Sequence, residues 1–343
     1  MPNDVRVSAA VAQDRDGWEA FVSARGDDAG YHCWDWQQVF ANAFGHDSVY
    51  LIARRGDEIE GVLPLVQIKS LLFGNSLTSL PFLNYGGVLA ATPDAGAALV
   101  AAARREAEQR GCAHVELRHV SPQFPDLPCK RHKVAMRLPL APDLWEALDR
   151  KVRNQIRKAE KSGLVVERGG QALVADFYQV FARNMRDLGT PVYSRRLFDE
   201  VLRTFPDRAQ LHVVRLQGKP IAAGLTYRTA SMVQIPWASS IREFNPLCAN
   251  VLLYWDAIQF AQGQGAAVFD MGRSTANEGT FKFKAQWGAQ PVPLHWEYSL
   301  GTADALPNVS PANPKFQLAI ALWQKLPVGV TTRVGPMIVR AIP

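Results

Sequence analysis

The sequence contains an internal repeat, and this feature constrains the fold more than any other. The segment Leu99–Leu117 aligns without gaps with the segment Leu253–Met271: a leucine, two alanines, a glycine and a third alanine recur in register, followed by an acidic residue between apolar ones. Alanines four residues apart form one narrow face of a helix, glycine suits the C-terminal cap, and the apolar run beyond it is typical of a buried strand. Each copy therefore predicts a helix that packs against a sheet and leads through a glycine into a strand.

A strand–turn–strand pattern precedes each predicted helix. Tyr50–Leu63 and Leu211–Thr226 each contain two apolar runs separated by a glycine turn, which is typical of a hairpin. Helix–glycine–strand units occur in many α/β proteins, but the shared order of hairpin, helix and strand favours a true repeat. We therefore predict the α/β class, with two similar domains in one chain.

Prolines mark the predicted boundary between the two halves. Pro139 and Pro142 interrupt the repeated pattern and are poorly compatible with a continuing strand or helix. We therefore assign a first domain to residues 1–140 and a second to residues 141–305, and treat 306–343 as a C-terminal tail.

The tail predicts one amphipathic helix. Asn313 and Pro314 suit its start, and Pro327 suits its end; the apolar residues on one face are Phe316, Ile320 and Trp323. Docking of this helix on its parent domain is the favoured interpretation. Its tryptophan and the absence of acidic residues after Asp304 leave peripheral contact with the inner membrane as the alternative.

Composition and the chain start indicate a globular, cytoplasmic protein. The 343 residues are 48% hydrophobic, which suffices for one large or two ordinary cores. The first twenty residues carry acids and no continuous apolar stretch, so we expect no secretory signal. No uninterrupted apolar run reaches the roughly 18 residues that a membrane-spanning helix needs.

Cysteine and histidine usage argues against a metal centre. The four cysteines and seven histidines are scattered, without the close spacing of zinc ligands. We expect buried structural cysteines, no metal and no bound cofactor.

A concentration of positive charge stands out between Arg150 and Lys161, where six basic residues meet one glutamate. The segment predicts a helix with Arg150, Arg153, Arg157 and Lys161 at spacings of three and four. The candidate binding residues among its cations are Arg153, Arg157 and Lys158. A solvated helix face and a binding surface for a phosphorylated ligand are both open interpretations. A net charge of +6 is compatible with the second.

Two further loops contain candidate binding residues. Asn84 and Tyr85 precede a pair of glycines that would let the backbone approach a ligand closely. Tyr193 ends a second loop that begins with glycine, threonine and proline. Both segments are also compatible with ordinary tight turns.

The segment Phe269–Gly288 contains the candidate catalytic residues. Arg273 follows a buried strand, where the carboxyl ends of strands border binding clefts in α/β sheets, and its guanidinium could hold a phosphate or carboxylate. Asp270, inside the strand, is predicted to pair with Arg273. Lys282, a candidate substrate-binding residue, and Lys284, a candidate catalytic one, alternate with phenylalanines. As a strand pattern this would place both lysines on one solvated face.

This segment resembles the FemAB-like proteins, relatives of the GNAT acetyltransferases in which two such domains occur side by side. Its glycine–arginine–serine loop and its Phe-Lys-x-x-aromatic-Gly motif are the most telling parts. The resemblance extends from about Tyr31 to Leu300. The further segments that support it are Trp34–His46, Pro81–Gly87 and Asn184–Tyr193. They also resemble the branch associated with exosortase (PEP-CTERM) and exopolysaccharide gene clusters. The resemblance implies tandem GNAT-like domains with mixed central sheets flanked by helices.

The resemblance also implies an acyltransferase, with Lys284 near the reacting ester and its leaving group. Fem ligases extend peptidoglycan precursors from aminoacyl-tRNA, whereas other members transfer acyl groups to amines, so acyl-CoA and aminoacyl-tRNA both remain open as donor substrates. Such aminolysis needs orientation and charge stabilisation more than a covalent nucleophile. The segment Arg242–Asn250 has no glycine and contains a proline, which argues against the glycine-rich pyrophosphate loop of acetyl-CoA users.

We therefore expect an N-acyl or aminoacyl transferase that modifies an amine on a phosphorylated small molecule or on a cell-envelope, peptidoglycan or exopolysaccharide precursor. The alternative is a non-catalytic accessory protein of an exopolysaccharide or exosortase-linked envelope system, in which the same fold serves binding only.

Overall fold

A computed structural model describes residues 4–70, 74–301, 306 and 314–342, without the side chains of 27–28 and 314–316. The chain forms two compact units. The first comprises Met1–Lys133, Pro293–Val309 and Arg340–Pro343, and the second comprises Val134–Val292 and Ser310–Val339.

Among its described residues up to 133, the first unit contains three α-helices and most of one sheet. In chain order its elements are β1 (Arg6–Ala9), α1 (Arg15–Ser23), α2 (Trp36–Phe44), β2 (Ser48–Arg55), β3 (Glu58–Ser70), β4 (Gly74–Ser79), β5 (Leu89–Ala90), α3 (Pro93–Gln109), β6 (His114–His119) and β7 (Cys129–Lys130).

The second unit follows with β8 (Val134–Pro139), α4 (Leu144–Ala147), α5 (Arg150–Lys161), β9 (Leu164–Gly169), α6 (Val174–Leu188), α7 (Arg195–Thr204), β10 (Ala209–Leu216), β11 (Lys219–Arg228), β12 (Met232–Ser240), α8 (Ala249–Gly263), β13 (Val268–Ser274), α9 (Gly279–Ala285) and β14 (Gln290–Pro293). The chain then forms β15 (His295–Leu300), α10 (Pro314–Trp323) and α11 (Val328–Val339).

The two sheets have the same layout, which confirms the predicted α/β repeat. The strand order is β1-β2-β3-β4-β6-β15-β7 in one sheet, with β5 beside β3, and β9-β10-β11-β12-β13-β8-β14 in the other. A parallel pair lies at the same place in each: β4 pairs with β6, and β12 pairs with β13, over three residue pairs in both cases. Both sheets are therefore mixed, because their other described pairings include antiparallel ones.

The helices α3 and α8 end in the same way, as the repeat predicts. Gly111 and Gly265 follow them with φ of +62° and +70°. The next residue donates its N–H to an alanine carbonyl of the last turn in each case, from Cys112 to Ala107 at 2.8 Å and from Ala266 to Ala261 at 3.0 Å. These alanines are buried, so the narrow alanine faces pack inward.

Two strands lie in the sheet of the other predicted domain, a strand exchange that the predicted boundaries do not include. β8 lies in the second sheet between β13 and β14, and β15, near the end of the chain, lies in the first sheet between β6 and β7. The chain passes from one unit to the other at residue 134 and back at residue 293, whereas we predicted 140 and 305. The prolines end β8 but carry no information about which sheet β8 joins.

The tail forms two helices where one was predicted, and both belong to the second unit. Ile320 of α10 contacts Gly189, and α11 packs against α6. This docking agrees with the favoured interpretation of the tail. Asn313 and the side chain of Phe316 lie outside the described residues.

Replacement of Gly265 by alanine tests the helix ending. An L-residue in the left-handed region costs about 1–2 kcal/mol, and no atom lies within 4 Å of the added Cβ, so we expect Gly265→Ala to lower the free energy of unfolding by about that amount in urea denaturation. Gly263, in the last turn of α8, is equally open and has no positive φ. Gly263→Ala should leave stability unchanged or raise it. Equal losses in both variants would contradict this explanation.

Candidate active site

The parallel strands β12 and β13 separate in the middle of the second sheet. They pair from Met232 to Gln234 with Val268 to Asp270. Beyond this point β12 continues beside β11 and β13 continues beside β8. Strands that diverge inside a sheet leave backbone groups without a ladder partner, and an extended ligand can hydrogen-bond to them.

A β-bulge in β12 lies next to the separation. Leu225 pairs with Trp237 and Tyr227 pairs with Gln234, so Ile235 and Pro236 oppose the single residue Thr226. Bulges redirect a strand and are frequent beside active sites. The proline fits here because a bulge tolerates a residue without an N–H group.

The end of β13 bends at Gly272, and the Asp270 carboxylate holds the bend. Asp270 is fully buried, and its Oδ1 accepts a hydrogen bond from the Gly272 N–H at 2.7 Å. Its Oδ2 lies 3.8 Å from Nε of Arg137 on β8. We predicted pairing with Arg273, three residues further on; the ion pair at this distance involves Arg137. Arg273 itself is half-buried.

Lys284 lies against this bend. Its side chain is only 6% exposed, and its Nζ donates hydrogen bonds to the carbonyl oxygens of Gly272 at 3.0 Å and Arg273 at 2.9 Å. Burial lowers the pKa of Lys284 to about 8; the Asp270 carboxylate opposes this effect and the Arg273 guanidinium adds to it. The ammonium and the free amine are therefore both accessible close to neutral pH.

The two lysines of the motif do not share a face, because Gly279–Ala285 is a helix and not a strand. Residues two apart on a helix point in nearly opposite directions, and Lys282 is exposed while Lys284 is buried. The alternation was ambiguous because a short apolar run fits either structure. Phe283 packs this helix against α8, with the centroid of its ring 5.1 Å from that of the Tyr254 ring.

The cations of α5 form an exposed face, as predicted. Val152, Ile156 and Ala159 are buried on the opposite side. A shallow cavity of about 420 Å³ opens on this helix; its lining residues are Arg150, Lys151, Asn154, Gln155 and Lys158. Within the residues that the structure describes, no carboxylate lies within salt-bridge distance of the six α5 cations. Arg157 lies over the Trp145 ring at 5.4 Å, and Arg153 is half-buried.

Tyr193 belongs to the same unit and borders the face of the sheet that α6 and α7 cover. Its carbonyl accepts a hydrogen bond from the Tyr178 hydroxyl at 2.9 Å, and its ring stacks on Phe181 at 6.2 Å. On this face Asn184 donates to the Ser239 hydroxyl at 3.0 Å. Ser239 lies on β12 beyond the separation, so α6 packs on this part of the strand.

Asn84 and Tyr85 lie in the first unit and are buried. Their loop fills the gap between β4 and β6, which corresponds to the gap between β12 and β13. The N–H groups of Gly86 and Gly87 donate to the Arg118 carbonyl at 3.0 and 2.8 Å. A Cβ on Gly87 would lie 2.3 Å from the His119 ring. The glycines permit close approach, as predicted, but to strand β6 of the same chain.

A buried charge network beside this loop was not predicted. Arg118 donates from Nε to Glu116 at 2.7 Å, and His119 Nδ1 lies 2.7 Å from Glu297 on β15. Burial raises the pKa of Glu297, but hydrogen bonds from His119 and from the backbone of Phe124 and Gln123 outweigh it and lower the pKa below its usual value. The strand exchange supplies Glu297, so spacing in the sequence carried no signal for this network.

The depressed pKa of Lys284 predicts a pH-dependent stability. The unfolded chain binds the Lys284 proton more tightly, so burial of Lys284 costs most below about pH 8, and this cost falls as pH rises towards 10.5. We expect wild type to gain about 1 kcal/mol relative to Lys284→Met between about pH 7 and about pH 9. Urea denaturation measures this difference, and for the exposed Lys282→Met it should stay constant. A constant difference for Lys284→Met as well would show that the buried amine keeps its ordinary pKa.

Comparison with known proteins supports the expected class. Residues 147–285 match the family described as Acetyltransferase (GNAT) domain. No curated protein sequence matches the chain. No helix among the described residues is long and apolar enough to cross a membrane.

The fold is similar to those of solved structures over most of the chain. FemX shares 15% identity with a TM-score of 0.64, over 92% of this chain and all of FemX. A tandem GNAT protein from the clavulanic acid biosynthesis pathway shares 12% with a TM-score of 0.56, over 88% of this chain and 100% of its own. L-PGS from Bacillus licheniformis shares 12% sequence identity with a TM-score of 0.55, and the match covers 92% of this chain and 98% of the L-PGS chain. The fold is therefore that of tandem GNAT proteins, and the sequence match within its second unit supports an acyltransferase.

Proposed function

We propose that this protein transfers an acyl or aminoacyl group to an amine on a cell-envelope precursor, of the peptidoglycan or exopolysaccharide type, and that the reaction takes place in the second unit. The observation that carries the proposal is the separation of β12 and β13 with Lys284 beside it. An extended donor can lie along the free edge of β12, next to the bulge. Its carbonyl would then be near the bend at Gly272.

The reaction is aminolysis of an activated ester or thioester. The acceptor amine attacks the carbonyl carbon, an oxyanion forms, and the leaving oxygen or sulfur departs as the carbonyl re-forms. The amine loses a proton and the leaving group takes one up. A lysine with a pKa of about 8 can stabilise the oxyanion as the ammonium or supply a proton to the leaving group.

The α5 face is the proposed contact for the phosphorylated part of a substrate. Six cations without carboxylate partners in the described part of the chain create a positive potential that attracts phosphate, and the cavity lined by Arg150, Lys151 and Lys158 gives a place for it. Acyl-CoA and aminoacyl-tRNA both carry phosphate. The turn before α8 is a 3-10 helix with Pro246 inside it, which departs from a glycine-rich pyrophosphate loop and makes aminoacyl-tRNA a serious alternative to acyl-CoA.

The first unit is not proposed to bind a donor. Its corresponding gap is occupied by Leu80–Val88, which hydrogen-bonds to the free edge of β6. The described β3–β4 pairing runs from Gly74 to Ser79 without a register shift. Its duplicated sheet serves the structure, and the second unit keeps the open site.

A second candidate function is a non-catalytic accessory protein of an exopolysaccharide or exosortase-linked envelope system. The observation that favours it is that both hydrogen bonds of the Lys284 amine go to backbone carbonyls, as in a purely structural lysine. Thermal unfolding in the presence of acyl-CoA, aminoacyl-tRNA or a nucleotide sugar separates the two candidates. A transferase should be stabilised by one of the two donors.

Lys284→Met should leave donor binding nearly intact and reduce turnover on the order of 10²-fold, because an interaction made mainly in the transition state appears in kcat. Single-turnover transfer to an amine acceptor, with the donor identified by thermal unfolding, measures the effect. Lys282→Met is the matched control, since its side chain is exposed on the other side of α9, and it should keep near wild-type turnover. Full activity of folded Lys284→Met would make this lysine structural.

Reversal of charge on α5 tests the phosphate contact. Arg153→Glu with Arg157→Glu should weaken donor binding and flatten its dependence on salt, because each lost phosphate contact removes a released counterion. Arg196→Glu changes one exposed cation on α7 of the same unit and should affect binding little. Unchanged donor affinity of the double variant at low salt would show that α5 is only a solvated face.

A further inference from the structure

Exposed apolar side chains are concentrated on the two C-terminal helices. Among the described residues, eight large apolar side chains are strongly exposed, and five of them lie on α10 and α11: Leu318, Leu322, Val330, Val334 and Met337. The other three, Val11, Val165 and Leu188, are dispersed over three different elements or loops. Single exposed apolar residues need no explanation, but a cluster on adjacent helices marks an interaction surface.

The helix α11 has exposed apolar residues opposite the side that packs inward. Thr331 and Gly335 are buried at a spacing of four, and Gly335 lies so close to Val192 that an added Cβ would be 2.8 Å from its backbone nitrogen. Val334 and Met337 point away from this contact, and Met337 is 73% exposed. A helix that faces only solvent shows the reverse pattern, with polar residues outside.

The helix α10 also has apolar residues on its exposed side. Ile320 packs on Gly189, while Leu318 and Leu322, on the other side of the helix, are 72% and 57% exposed. The connection to α11 is fixed, since Arg186 donates to the Leu326 carbonyl at 3.0 Å and Gln324 donates to the Asp187 carbonyl at 3.2 Å. Both helices are therefore held on α6 with apolar faces outward.

The positive charge of the two helices favours an anionic binding partner. Lys325 and Arg333 are exposed, and the sequence contains no acidic residue after Asp304. A two-fold contact with a second copy would bring the same cations together, which is unfavourable. An anionic bilayer offers an apolar interior and phosphate headgroups to the same surface.

We propose that the outer faces of α10 and α11, termed here the terminal face, bind an anionic phospholipid surface. Helices of 10 and 12 residues would lie in the plane of the interface, with Leu318, Leu322 and Met337 inserted and the cations among the headgroups. The surface belongs to the unit that contains Lys284. Lipid binding is measurable without turnover, so its test is independent of the proposed transferase activity.

Sedimentation with vesicles tests the proposal. The full chain is mixed with vesicles of phosphatidylcholine alone and with vesicles of equal parts phosphatidylcholine and phosphatidylglycerol. We expect binding to the anionic vesicles, and a loss of more than about tenfold in Leu322→Glu with Met337→Glu, since two inserted side chains become charged. Lys325→Gln with Arg333→Gln should lose the preference for phosphatidylglycerol, about fivefold per cation. Thermal unfolding verifies that each variant is folded.

Val165→Glu is the matched control, because Val165 is also an exposed apolar residue of this unit but lies on β9, and this variant should bind as wild type does. Wild type that binds neither vesicle at low salt would overturn the proposal. So would a folded Leu322→Glu, Met337→Glu variant that still binds, or a wild-type dimer that this variant converts to a monomer, since the terminal face would then cover a second copy.

Discussion

The backbone hydrogen bonds between β12 and β13 stop after three residue pairs, and the proposed site depends on that interruption. A buried sheet normally pairs all its N–H and C=O groups, so a gap in the ladder must be compensated. Here the bulge opposite Thr226 turns β12 away, the Asp270 carboxylate takes up the Gly272 N–H, and the Lys284 amine takes up two carbonyls. Lys284, the side chain proposed for catalysis, therefore also provides hydrogen bonds for backbone carbonyls at the interrupted strand.

The first unit shows what happens when the same gap is closed. The loop after β4 supplies two N–H groups to the Arg118 carbonyl. The residues that correspond to Asp270 and Arg273 are Glu116, in a buried ion pair with Arg118, and His119, whose Nδ1 lies 2.7 Å from the Glu297 carboxylate. Buried charges of this kind are costly unless they are paired and hydrogen-bonded. The same strand arrangement thus occurs in two forms. The gap between the parallel strands is filled by a loop of the chain in the first sheet and is open beside a lysine in the second.

Lys284 illustrates how burial changes the proton affinity of a lysine. An ammonium that is 6% exposed lowers stability unless its hydrogen bonds and the nearby Asp270 carboxylate offset the loss of hydration. The compromise leaves its pKa at about 8, close to the range in which a lysine can exchange a proton at neutral pH. On the opposite side of α9, Lys282 stays in water, so adjacent positions of one short motif have different chemistry.

The sequence by itself determined the local units: the alanine faces of α3 and α8, the glycines that end them and the cationic face of α5. Each of these features depends on the spacing of residues within one helix, and that spacing can be read directly from the sequence. Only the tertiary structure decided the exchange of β8 and β15, the helical form of Gly279–Ala285, and the burial of Asn84 and Tyr85 against β6. These features depend on which distant segments pair, and hydrogen-bonded strands of similar composition carry no local mark of their partners.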